Sequence, residues 1–236
     1  MIPYWDQMLE FWHTHLNRSW KQSKVWYNNR FIYKTLDTEI IPFDLVMKIQ
    51  KIFGCSEIKN MDERVLAIAK KVRKKFLWTS DEVVYNKLEY WEYYTRLAVK
   101  MTGSNIVKDD CDGISTAIAG TLILCGIPRI RVRINAGYFY PGDGTKFGHA
   151  WVTSLPTGQV NRWRIIESSA DPGWFDARYN TLWVDTDNRH STPWWMFTQG
   201  LSWSKRTIKM DSKNFLREVQ EVNLSKTQVL QLWQTT

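Results

Sequence analysis

Residues 109–171 constrain the chain most, because within them the apolar repeat changes from a helical period to a strand period. Asp109 and Asp110 supply an N-cap and first-turn acids. Ile114, Ile118, Leu122 and Cys125 follow at spacings of four, four and three, and Gly126 and Pro128 close the run. This predicts a helix with both ends marked. Arg129-Ile130-Arg131-Val132-Arg133-Ile134 then alternates charged and apolar residues, the pattern of a half-buried strand. Pro141-Gly142-Asp143-Gly144 turns the chain, residues 148–155 read as a second strand, Thr157-Gly158 turns it again, and residues 160–167 read as a third. A helix feeding an antiparallel sheet predicts the α+β class.

The flanks read as helical. Met8, Leu9, Phe11, Trp12, Leu16 and Trp20 recur at helical spacings and predict a helix over residues 5–26. Residues 62–78 predict another, with Val65, Ala69, Val72 and Phe76 on one stripe and Lys70, Lys71, Arg73, Lys74 and Lys75 mostly opposite it. Residues 88–99, rich in Tyr and Trp, predict a third. Ser225 and Gln228 have capping-box spacing ahead of a terminal helix. The chain lacks repeats and low-complexity tracts. The expected organisation is a helical N-terminal extension over 1–80, a core over 81–185, and a C-terminal extension over 186–236, helical and packed on that core.

Lys and Arg number 32 against 24 Asp and Glu, a net charge of +8, which raises the question of an anionic partner. The basic face of residues 70–75 could meet nucleic acid or anionic lipid, but a solvated charged face is the commoner origin of such a run. Cys55, Cys111 and Cys125 are an odd set at irregular spacings, which argues against a disulfide scaffold and leaves at least one free thiol. The first residues lack a basic segment followed by an apolar one, so no signal peptide is expected and the chain reads as cytoplasmic at synthesis. No window approaches the roughly 18 uninterrupted apolar residues of a membrane span.

Chemistry concentrates on Cys111. It falls in the first turn of the predicted helix, where unpaired N–H groups and the helix dipole favour a thiolate. Asp110 and Asp112 oppose that effect, so a base is needed. Of the four histidines, His149 lies on a predicted core strand in Gly148-His149-Ala150-Trp151-Val152. His13 and His15 are two apart and cannot share a helical face, and His190 reads as part of a polar loop with Asp187, Asn188 and Arg189. An odd-length reversal such as Thr157-Gly158-Gln159 sets His149 directly opposite Glu167, with Cβ atoms about 5 Å apart on one face. An even-length reversal puts Glu167 on the other face. The favourable register orders a thiol, an imidazole and a carboxylate as nucleophile, base and orienter. Cys55 and Cys125 read as structural.

Lys108-Asp109-Asp110-Cys111-Asp112-Gly113, Cys125-Gly126-Ile127-Pro128, Gly148-His149-Ala150-Trp151-Val152 and Trp163-Arg164-Ile165-Ile166-Glu167 occur in this order. Together they resemble the transglutaminase-like cysteine hydrolase superfamily over about residues 85–175. The resemblance implies a papain-like core, with the helix bearing the nucleophile packed on an antiparallel sheet; the helical flanking segments lie outside it. It implies a Cys111–His149–Glu167 triad and no metal or organic cofactor. The family's acid is usually Asp, and Asp171 competes with Glu167 for the role. Some relatives carry a Trp-Gln pair near the oxyanion site, where this chain reads Tyr90-Trp91-Glu92. A carboxylate cannot donate there unless protonated, so Trp91 Nε1–H or the Cys111 backbone N–H is the expected donor. The expected activity is cysteine-dependent acyl transfer on a peptide, protein or amide substrate, with hydrolysis favoured over transamidation. The alternative is an assembly or binding protein on the same fold, part of a virion, tail or homo-oligomer, whose partners meet its aromatic-rich flanks. The sequence carries 14 Trp, 10 Tyr and 10 Phe, and most such rings pack in cores.

Overall fold

The computed structural model describes residues 36–38, 41–86, 91–140, 144–159, 163–169, 189–190, 193 and 195–199. It also describes the strand backbones at 20–22, 25–27, 30–32 and 201–205. The strands are β1 (Trp20–Gln22), β2 (Val25–Tyr27), β3 (Arg30–Ile32), β4 (Phe76–Trp78), β5 (Val107–Asp109), β6 (Val132–Phe139), β7 (Phe147–Ser154), β8 (Arg164–Ile166), β9 (Trp195–Thr198) and β10 (Leu201–Lys205). The helices are α1 (Phe43–Phe53), α2 (Met61–Arg73), α3 (Asp81–Tyr85), α4 (Tyr94–Met101) and α5 (Cys111–Leu124). Six strands form one antiparallel sheet in the order β1-β10-β9-β6-β7-β8. The fold is α+β, as the switch of period predicts.

Helix α5 is the centre of the packing. Asp110 caps its start, with the Asp112 N–H donating to Oδ1 at 3.2 Å, and Gly126 follows its end at φ +83°. Ile114, Ile118 and Leu122 are fully buried against Val132 and Ile134 of β6 and Val152 of β7. Along β6 and β7 the alternation of side chains leaves Arg133, Asn135, His149, Trp151 and Thr153 on the opposite face, where they are also buried. Burial on both faces explains why this sheet carries long, mostly apolar strands. Gly120 lets α4 approach α5: a Cβ there would run into the Tyr94 ring, whose hydroxyl hydrogen-bonds Thr121 Oγ1 at 3.0 Å.

Several sequence expectations need correction. The helix expected over residues 5–26 gives way to strands at Trp20–Gln22 and Val25–Tyr27, because β1 is recruited to pair with the distant β10; residues 1–19 lie outside the described residues. The helix expected over 62–78 stops at Arg73, and Phe76–Trp78 pairs in parallel with Val107–Asp109. The helix expected from residue 88 starts at Tyr94, where the Asp37 carboxylate accepts from the N–H groups of Tyr94 (2.8 Å) and Thr95 (3.0 Å). That cap comes from 57 residues away and leaves no local signature. Residues 129–131 form a short 3₁₀ turn, so strand β6 begins at Val132.

Packing also crosses the expected segment boundaries. Helices α1 and α2 contribute Ile49, Phe53, Val65 and Val72 to the core around α5, and β9, beyond residue 186, pairs with β6 inside the sheet. The terminal helix expected after Ser225 lies outside the described residues. Cys55 and Cys125, read as structural within a set that argues against a disulfide scaffold, form a disulfide with Cα atoms 5.0 Å apart, joining the turn after α1 to the end of α5. The basic run is partly internal: Arg73 is buried and donates to the Phe76 carbonyl at 2.9 Å, and Lys71 and Lys75 donate to the carbonyls of Phe53 and Gly103. No helix among the described residues is long and apolar enough to cross a membrane.

Candidate active site

Cys111 is the cysteine outside the disulfide and occupies the first position of α5, half-buried at the edge of the core. Parallel pairing of β4 with β5 delivers the chain to that helix start. Asp109, the last residue of β5, accepts from Tyr85 Oη–H at 2.8 Å and from the Asp110 N–H at 3.0 Å. Burial pushes the Asp109 carboxyl up to about 7, against the Tyr85 hydrogen bond, which lowers it; the neighbouring Asp110 charge adds to the rise. Gly113 is obligatory beneath this carboxylate, because a Cβ would collide with it. Asp110 is itself raised by burial, opposed by hydrogen bonding from Asp112 and by the positive charge of the His149 ring. The His149 charge thus acts on the residue that caps α5.

His149 and Glu167 are joined. The pairing of β7 with β8 sets Val152 opposite Ile166 and Ser154 opposite Arg164. This register is displaced by two residues from the one expected, so His149 and Glu167 are diagonal rather than directly opposed. The even displacement keeps both on one face, and the length of the glutamate spans the diagonal: His149 Nε2 lies 2.8 Å from Glu167 Oε1. Both side chains are buried. The Ser169 N–H donates to the same oxygen at 2.8 Å, and Ser168 Oγ–H donates to the Ala150 carbonyl, clamping the turn after β8 to β7. Burial would raise the Glu167 carboxyl, but the charge and hydrogen bond of His149, then those of His190, hold it well below the usual carboxylate range.

His190, expected in a polar loop, is buried instead. Its Nε2 lies 2.7 Å from Glu167 Oε2, so one carboxylate sits between two imidazoles. An isolated bridge to Phe139 and the hydrogen bond from Tyr140 N–H to the Arg189 carbonyl bring it there. The rings of Phe139 and Trp151 pack against both histidines. No spacing in the sequence links residue 190 to this strand end.

Trp91 is buried against Trp195 and Phe197, and its indole N–H has no hydrogen-bond partner among the described residues. Glu92 turns to cations, with Lys100 Nζ at 3.1 Å and Arg96 at 3.5 Å, and so offers no donor. Asp171 lies outside the described residues. Among the described residues, two clusters bring metal-type donor atoms within 4.8 Å of one another: His149, Glu167 and His190, and Asp81, Asp109, Asp110 and Asp112. In the first, both imidazole nitrogens already face the carboxylate.

No family model matches the chain, and no curated protein matches it. Solved structures of LapG from Legionella pneumophila are similar to it. One shares 17% identity at a TM-score of 0.41, covering 75% of this chain and 96% of that chain. The calcium-bound form shares 15% at 0.40, covering 73% and 98%. The EGTA-treated form shares 18% at 0.41, covering 79% and 95%.

Proposed function

We propose that the chain is a cysteine-dependent acyl-transfer enzyme, a transglutaminase-like peptidase or amidase with a papain-like core, acting on a peptide, protein or carboxamide substrate. The observation that carries this reading is the buried His149–Glu167 hydrogen bond of 2.8 Å, in a chain whose Cys111 opens helix α5 next to the Asp110 cap on which the His149 charge acts. An ionised Glu167 has only lone pairs, so Nε2 of His149 carries the hydrogen between them. Nδ1 is then the nitrogen available to exchange a proton with the thiol.

Cys111 Sγ, as thiolate, attacks the carbonyl carbon. The oxyanion that develops is met by the Cys111 backbone N–H at the helix start or by Trp91 Nε1–H, a buried donor of the right chemistry. Imidazolium His149 protonates the leaving nitrogen as the C–N bond breaks, leaving a thioester on Cys111. Neutral His149 then takes a proton from water, whose oxygen attacks the thioester and releases the acid and the thiol. Glu167 keeps the ring oriented and stabilises its cationic form. Hydrolysis is favoured because water at an accessible site far exceeds any amine in concentration.

The test is acyl trapping. Incubation with p-nitrophenyl acetate followed by an acid quench should leave one acetyl group on Cys111, cleaved by hydroxylamine and lost in Cys111→Ala. Acetylation that persists in that variant, or that falls on lysines alone, contradicts the reading. An assembly role that does not use the thiol predicts the same absence of trapping.

A further inference from the structure

We propose that His190 is a positioning residue of this site, holding the carboxylate that in turn holds the His149 ring. The inference rests on the acyl-transfer reading of Cys111 and His149 and extends it to a residue outside the triad. Glu167 is a bridge. Its Oε1 accepts from His149 Nε2 at 2.8 Å and from the Ser169 N–H at 2.8 Å, and its Oε2 faces His190 Nε2 at 2.7 Å. With both oxygens engaged, the carboxylate cannot rotate about its last bond without breaking a buried hydrogen bond. Each such loss leaves a polar atom unsatisfied in an interior site.

His190 is itself fixed from two directions. Its backbone bridges Phe139 at the end of β6, and its ring lies 4.9 Å from Trp151 and 5.1 Å from Phe139, centroid to centroid. The chain thus brings a second imidazole from 23 residues beyond Glu167 to the far side of the same carboxylate. A glutamate has one more rotatable bond than the aspartate usual at this position in the resembled family, and so needs more restraint to hold one geometry. His190 supplies that restraint. Removing its donor frees Oε2, lets the carboxylate swing or take up a proton, and loosens His149. Restoring a donor at the same reach, without an ionisable ring, restores the geometry. A glutamine amide reaches about as far from Cβ as imidazole Nε2, whereas an asparagine amide falls short.

The experiment is the pH–rate profile of Cys111 alkylation by iodoacetamide, read by peptide mass spectrometry, in wild type, His149→Ala, His190→Ala, His190→Gln and His190→Asn. The expected result is labelling of wild type well below the ordinary thiol range near pH 8.5, abolished in His149→Ala. His190→Ala should slow it at about pH 6 by roughly tenfold, and His190→Gln should recover to within about threefold of wild type. If the alanine variant does not fold, His190→Asn carries the same expectation of loss against His190→Gln. Profiles of His190→Ala and His190→Asn that overlie wild type, while His149→Ala differs, overturn the role of His190 and leave the triad standing. A wild-type profile that matches His149→Ala overturns both.

Discussion

A buried carboxylate between two histidines makes Glu167 the residue on which the site's electrostatics turn. Its folded-state ionisation lies below its ordinary value near 4.5. The stability it contributes is therefore present above about pH 4.5 and lost as pH falls below that, when the unfolded chain binds the proton first. Glu167→Gln should cost about 3 kcal/mol near neutral pH, because it leaves two imidazoles facing an amide. It should also flatten the acid limb of the stability curve; urea titrations of both proteins between about pH 3 and pH 7 measure this, and parallel acid limbs contradict it. Asp109 carries the opposite sign. Burial raises it to about 7, so its contribution is fullest below about pH 4 and declines as pH rises through 7. Asp109→Asn should gain stability relative to wild type between those limits, as denaturation at each pH will show.

Among the elements, helix α5 and strand β7 were legible because their signals are local. Asp110, the apolar stripe and Gly126 mark both ends of the helix; Ile114 and Ile118 are buried, but so is every residue from Asp112 to Leu122, and the stripe did not foretell burial on all sides. His149 and Glu167 were legible as one-face partners by parity. The register itself was not, because a residue pair displaced by two satisfies the same pattern. What stayed hidden depends on distant partners: the Asp37 cap on α4, the pairing of β1 with β10, and the bridge that carries His190 to Phe139. Close packing between α4 and α5 gives a direct test. Gly120→Ala drives a Cβ into the Tyr94 ring and should cost about 2 kcal/mol, lowering Tm by roughly 4–8 °C. An unchanged melting curve would contradict that approach of the two helices.

For the whole molecule, the sheet and α5 hold the site while the flanking helices are tied in behind it. The Cys55–Cys125 disulfide spans 70 residues and fastens the end of α1 to the end of the helix that begins with Cys111. Cross-linking a loop of that length should stabilise the fold by about 4 kcal/mol through restriction of the unfolded chain. Reduction, or Cys55→Ser with Cys125→Ser, should lower Tm accordingly, and a Tm insensitive to reductant would contradict it. The central claim is that Cys111 is paired with His149 for acyl transfer. Its most direct test is the far-ultraviolet thiolate absorbance of wild type, titrated with pH against Cys111→Ser as the blank, and repeated in a His149→Ala background. The account predicts a thiolate that forms well below the ordinary thiol range near pH 8.5 in wild type and moves up to that range without His149. A thiolate that appears only near pH 8.5 in both backgrounds would contradict it.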